Sequence, residues 1–112
     1  WYDSSSFNKS HPVGMLIPNE VGLFDMHGNA WEWCQNVLKG YSNATIKPRI
    51  DDVEQGVTVS PKDTRELRSG SYVGTAFFVR TYHRFHGLPN YIDDFCGFRV
   101  ARTMRTNETV EP

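Results

Sequence analysis

At 112 residues the chain has room for one small domain with one core, and 12 basic against 13 acidic side chains leave a formal net charge of −1. With no basic cluster to neutralise a phosphate backbone, nucleic acid is excluded as the expected partner. No apolar run approaches the ~20 residues of a membrane-spanning helix, and no signal-peptide pattern opens the chain, so localisation stays open.

Residues 1–12 are polar and are expected to run extended up to His11-Pro12. Residues 13–34 are dense in glycine and aromatic rings, and 22–34 read GLFDMHGNAWEWC. Gly28 argues against a helix there and Gly-Asn against a strand, so a turn built around something is expected. A short helix is expected to start near Trp31. Residues 35–64 lack helical periodicity and read as a long surface loop, with 57–59 (VTV) as its strand candidate. Residues 65–72 (RELRSGSY) and 97–101 (GFRVA) have strand character, their glycines admitting close backbone approach. Between them 76–84 mixes apolar and basic residues and reads as a strand or a short turn. Residues 1–103 form the domain part and 104–112 a polar tail. Without long periodic helices, the fold class is α+β, loop-rich, with a small antiparallel sheet and little helix.

Two cysteines, Cys34 and Cys96, are too few for a disulfide framework and form no CxxC pair, so free, buried thiols are expected. The four histidines, His11, His27, His83 and His86, make no zinc pattern with them.

Five segments stand out together: HPVG at 11–14, PNEVGLFDMHGNAWEWC at 18–34, LRSGSY at 67–72, VRTYHR at 79–84 and CGFRVAR at 96–102. In this order they resemble the formylglycine-generating enzyme (sulfatase-modifying factor) family. The resemblance implies a C-type-lectin-like fold, of which this chain is the C-terminal portion, with the family's N-terminal part preceding Trp1. Ser69 stands where the family usually carries glycine, so its backbone is expected either to keep φ below zero or to bear strain.

The resemblance also implies a structural calcium ion. Its ligands would be the Asp25 and Glu32 carboxylates and the Gly28 and Ala30 carbonyls, a set of hard oxygens that suits calcium. Trp31 and Trp33 would pack this loop onto the core, with His27 pointing outwards. Taken by themselves, the same residues fit an alternative in which Asp25 and Glu32 accept backbone N–H bonds in a tight turn.

Active members of the family oxidise a sulfatase cysteine to formylglycine with copper held by two cysteines. The matching positions here are Gly74 and the segment 77–79, which carry no thiol. Copper(I) needs soft thiolates, so neither copper nor a catalytic residue is expected. Cys34 and Cys96 match neither position.

Residues 73–96 contain no Lys, Glu, Gln, Met or Trp, although 18 such residues occur in the rest of the chain. They are rich in Phe, Tyr, His and Arg, as recognition surfaces are. Ser71 and Arg80 match groove-side positions of the family. Phe85, His86, Leu88, Tyr91 and Phe95 flank Pro89 and are expected to form an exposed ligand-binding patch, with Phe77 and Val79 in the core. A calcium-stabilised binding or accessory module for a protein or peptide ligand is the leading expectation. One alternative is a retroelement-diversified lectin-like binding protein, because mutating the adenines of an Asn codon cannot yield those five residue types. The other is part of a formylglycine-generating or related oxidase whose chemistry lies in sequence outside this chain.

Overall fold

Alternation decides where this chain becomes sheet. The computed structural model describes residues 1–38, 40 and 58–101. Its elements are α1 (Asp3–Ser6), β1 (Trp31–Val37), β2 (Arg65–Arg68), β3 (Phe85–Gly87) and β4 (Cys96–Phe98). In β2 the buried Arg65 and Leu67 alternate with half-buried Glu66 and Arg68, the period-two pattern of a strand with one face packed. In β1, where a short helix was expected, Trp31-Glu32-Trp33 is also strand. Its two large rings lie on one face, and aromatic residues suit a pleated surface better than a helix turn.

The four strands form one sheet in the order β3-β2-β1-β4. β1 pairs antiparallel with β2 (Glu32 with Arg68, Trp33 with Leu67), with a register irregularity between Trp33 and Val37. β2 pairs antiparallel with β3, Leu67 opposite Phe85. The third pairing is parallel, Trp31 opposite Cys96 and Trp33 opposite Phe98, so the small sheet is mixed. A parallel neighbour requires a crossover between the paired strands, and here the whole stretch from β1 to β4 supplies it.

The core sits on the Trp31/Trp33 face. Leu67 is fully buried, and its register places it between Trp33 and Phe85. Burying such a side chain contributes roughly 1.5–3 kcal/mol. The Trp31 ring lies 5.4 Å from Phe85 and 5.9 Å from His83. Gly87 is needed beside it: a Cβ there would come within 3.0 Å of the Trp33 ring and 3.4 Å of Tyr91. Without that Cβ, Trp33 meets Tyr91 edge-on at 6.5 Å.

The N-terminal segment was expected to be extended, yet residues 3–6 form one helical turn. Serine is a poor helix former, so the turn is held from outside. The Ser6 hydroxyl donates to the Tyr72 carbonyl at 2.7 Å and the Asp3 N–H to the Gly74 carbonyl at 3.0 Å. Phe7, in the left-handed region at φ 56°, ends it.

Residues 58 and 59 are not strand. Residue 57, most of the long 35–64 loop and the 104–112 tail lie outside the described residues. The strand expected at 97–101 is the shorter 96–98, and that expected at 65–72 stops at Arg68.

Candidate functional site

The Gly28-Asn29 turn joins three distant segments. Gly28 has φ 82°, and a Cβ there would stand 2.0 Å from the Trp1 carbonyl oxygen, so only glycine fits. Its N–H donates to the Ser69 carbonyl at 2.6 Å, and the Asn29 N–H donates to the Trp1 carbonyl at 2.7 Å. Asn29, buried and itself left-handed at φ 67°, holds the backbone of His11 at both ends. Its Oδ1 accepts from the His11 N–H at 2.9 Å and its Nδ2 donates to the His11 carbonyl at 3.0 Å. Its own carbonyl accepts from the Tyr72 N–H at 2.9 Å. Ser69 adopts φ 85°, the strained of the two backbone states open to it, and its hydroxyl donates to the Gly28 carbonyl at 3.3 Å.

Three of the four residues expected to hold calcium, Asp25, Gly28 and Glu32, already carry hydrogen-bond partners on the expected oxygens; Ala30 precedes β1 directly. Oδ2 of Asp25 accepts from the Gly14 N–H at 2.6 Å, as in the alternative reading of this turn. The Gly28 carbonyl accepts from the Ala30 N–H at 3.0 Å as well as from Ser69. Both Glu32 oxygens face Arg99, whose Nε donates to Oε2 at 2.8 Å and whose Nη2 donates to Oε1 at 2.6 Å. The same guanidinium donates to the Phe24 carbonyl at 2.9 Å and the Asp25 carbonyl at 3.0 Å. Hydrogen bonding to Glu32 raises the Arg99 pKa further above its ordinary value. Calcium needs six to eight oxygens turned towards one point; in this arrangement a guanidinium is seated on both Glu32 oxygens. Among the described residues no group of three or more His, Cys, Asp or Glu is placed to hold a metal. His27 is exposed.

The expected ligand-binding residues divide. Ser71 is buried, with its hydroxyl lacking a hydrogen-bond partner among the described residues. Arg80, His86 and Leu88 are exposed, whereas Phe85, Tyr91 and Phe95 are half-buried. Phe85 and Tyr91 are drawn in by Trp31 and Trp33.

Phe77, expected in the core, is instead 49% exposed, while Val79 is half-buried, close against Gly70. Phe77 lies on the turns of 72–82, where its ring packs on side chains of that same segment. The Arg80 guanidinium sits 4.8 Å from the Phe77 ring centroid, and its Nη1 donates to the Tyr82 hydroxyl at 2.7 Å. Phe77 and Phe78 meet edge-on at 5.5 Å, and both meet the His83 ring edge-on, at 5.4 Å and 4.9 Å. Phe77, Phe78, Arg80 and Tyr82 thus make a surface cluster, of which Arg80 alone was expected as a site residue. The signal for the others was the aromatic pair Phe77-Phe78, one residue removed from Arg80.

Cys34 and Cys96 are free and half-buried. Burial, then Glu66, pushes the Cys34 thiol pKa up; burial, Asp93 and Asp94 push that of Cys96 up. Both are kept protonated, the poor ligand form.

Residues 1–104 match the model of the sulfatase-modifying factor enzyme 1-like domain. The chain is 33% identical over 87 residues to the serine/threonine-protein kinase pkn1 of Chlamydia pneumoniae, covering 78% of this chain and 14% of the kinase. It is 31% identical over 97 residues to the formylglycine-generating enzyme of Thermomonospora curvata, covering 80% of this chain and 30% of that one. Among solved structures, Treponema denticola variable protein 1 superposes with a TM-score of 0.73 at 32% identity, over 88% of this chain and 34% of that chain. The chain therefore spans between 14% and 34% of the length of these relatives.

Proposed function

Because the chain belongs to the sulfatase-modifying factor enzyme 1-like family, we propose that it serves there as a binding or accessory module for a protein or peptide, without copper oxidase chemistry of its own. The observation that carries this reading is the exposed Phe77-Phe78-Arg80-Tyr82 cluster, in a segment with no cysteine between Cys34 and Cys96. Aromatic rings with an arginine are the residue types that dominate binding energy at protein surfaces. The two thiols lie outside the positions where the family's copper would be held, and burial keeps them protonated. Copper(I) has no soft ligand pair in that segment.

The test has two arms. Panning a displayed library of random peptides on the full chain enriches binders, and Phe77→Ser or Arg80→Ala weakens them about thirtyfold, as expected for a contact worth about 2 kcal/mol. Incubation with copper and a cysteine-containing sulfatase peptide gives no aldehyde above a protein-free control. Binders indifferent to both substitutions overturn the surface assignment; aldehyde formation overturns the absence of oxidase chemistry.

A second reading is favoured by one finding, the likeness to Treponema denticola variable protein 1, a protein named as variable. It fits the missing Lys, Glu, Gln, Met and Trp across 73–96 and makes the same surface a diversified one. Sequencing this segment across isolates separates the two: diversification confines substitutions to adenine positions, and a fixed module shows no such confinement.

A further inference from the structure

The loop around Gly28 carries a cation of its own. Gly97 pairs with Glu32 across the parallel β1–β4 edge, and period-two alternation returns Arg99 to the Glu32 side of the sheet. There the guanidinium makes four hydrogen bonds from three nitrogens, two to the Glu32 carboxylate and one each to the carbonyls of Phe24 and Asp25. We propose that Arg99 is the built-in cation of the 24–32 loop, closing it without a metal ion.

The planar fork of arginine matches a carboxylate through two parallel N–H donors, and its remaining donors reach carbonyls that a spherical ion would otherwise gather. The Glu32 charge is balanced by this contact. A divalent ion at Glu32 would have to displace the guanidinium or sit beside it against like charge. The Asp25 carboxylate does not add to such a cage, because its Oδ2 is turned to the Gly14 N–H. The clamp also ties the chain just after β4 to the turn before β1, a role the family resemblance would leave to an ion.

The test uses the full chain and two probes, calcium and terbium. Trp31 and Trp33 flank Glu32, so terbium bound at that carboxylate would emit when the indoles are excited. The wild type is expected to show no terbium emission that Glu32→Gln abolishes, and a melting temperature that millimolar calcium leaves unchanged. Arg99→Gln is expected to lower the melting temperature by about 4–8 °C and to make it calcium-dependent, the freed carboxylate now taking the ion. Arg99→Lys keeps the charge without the fork and falls between. The double variant Arg99→Gln/Glu32→Gln melts little below either single one, because both remove the same contact. Glu32-dependent terbium emission from the wild type, a calcium-induced rise of several degrees, or fully additive losses would each overturn the proposal. Should Arg99→Gln fail to fold, the wild-type titrations decide alone.

Discussion

Asn29 uses both ends of one amide on the backbone of His11, so a single side chain stands in for a rung of sheet pairing. Two hydrogen bonds at about 0.5–1.5 kcal/mol each, with roughly 1–2 kcal/mol for a left-handed residue that is neither Gly nor Asn, set the expectation. Asn29→Ala should lose about 2–5 kcal/mol of stability, read as a lower denaturant midpoint with an unchanged slope. The Gly-Asn turn is legible in the sequence because few other residues accept two successive positive φ values. The partners are not, since nothing local marks Trp1, His11 and Ser69 as neighbours.

Tyr91 illustrates a second residue-scale effect. Its hydroxyl donates to Oδ2 of Asp93 at 2.8 Å, and this bond, with partial burial, pushes its pKa from 10.0 up to about 12. The same bond is the main reason that Asp93 lies below its ordinary carboxylate value. A raised tyrosine stabilises the fold below its unfolded pKa and loses that contribution as pH climbs from about 10 towards 12. A lowered aspartate contributes above its unfolded pKa and loses it as pH falls through the folded one. Phenolate absorbance should therefore show a late-ionising tyrosine, which Tyr91→Phe removes, together with a rise in the Asp93 pKa seen by carboxyl NMR. An unchanged late phase in that variant would assign it elsewhere.

At the scale of elements, alternation is what the sequence exposes most directly. Residues 65–68 read as strand from their own pattern, and Leu67 at the centre is fully buried. Leu67→Ala is expected to cost about 2–5 kcal/mol, the usual range for a buried leucine, measured by chemical unfolding. A smaller loss would mean that Trp33 and Phe85 collapse into the space. β1 was harder to read, because WEW follows a turn and any short aromatic run fits helix or strand until its partners are known. α1 shows the reverse case: its serines argue against a helix, and contacts to Tyr72 and Gly74 impose one. Phe77 misled for another reason. An aromatic residue is expected inside, but a short turn gives it neighbours such as Arg80 and His83 without burying it. The family was legible from motifs spread along the chain, and the matched domain over residues 1–104 agrees with it.

For the molecule as a whole, a small core carries a wide apolar surface. Trp31, Leu67 and Tyr72 are the buried hydrophobic residues among those described, while Ile17, Val21, Phe98 and Val100 are exposed. The parallel pairing of Trp31 with Cys96 adds a matter of timing. β1 lies in the middle of the sheet, yet both its neighbours come later in the chain. Long-range pairing of this kind folds slowly, because chain entropy is lost before the contacts form. At a synthesis rate of ~5–20 residues per second, Trp31 leaves the ribosome roughly 3–13 s before Cys96 does. For that interval the central strand has an open edge and two large indoles without their final cover, which is when a nascent chain is most prone to stick to another.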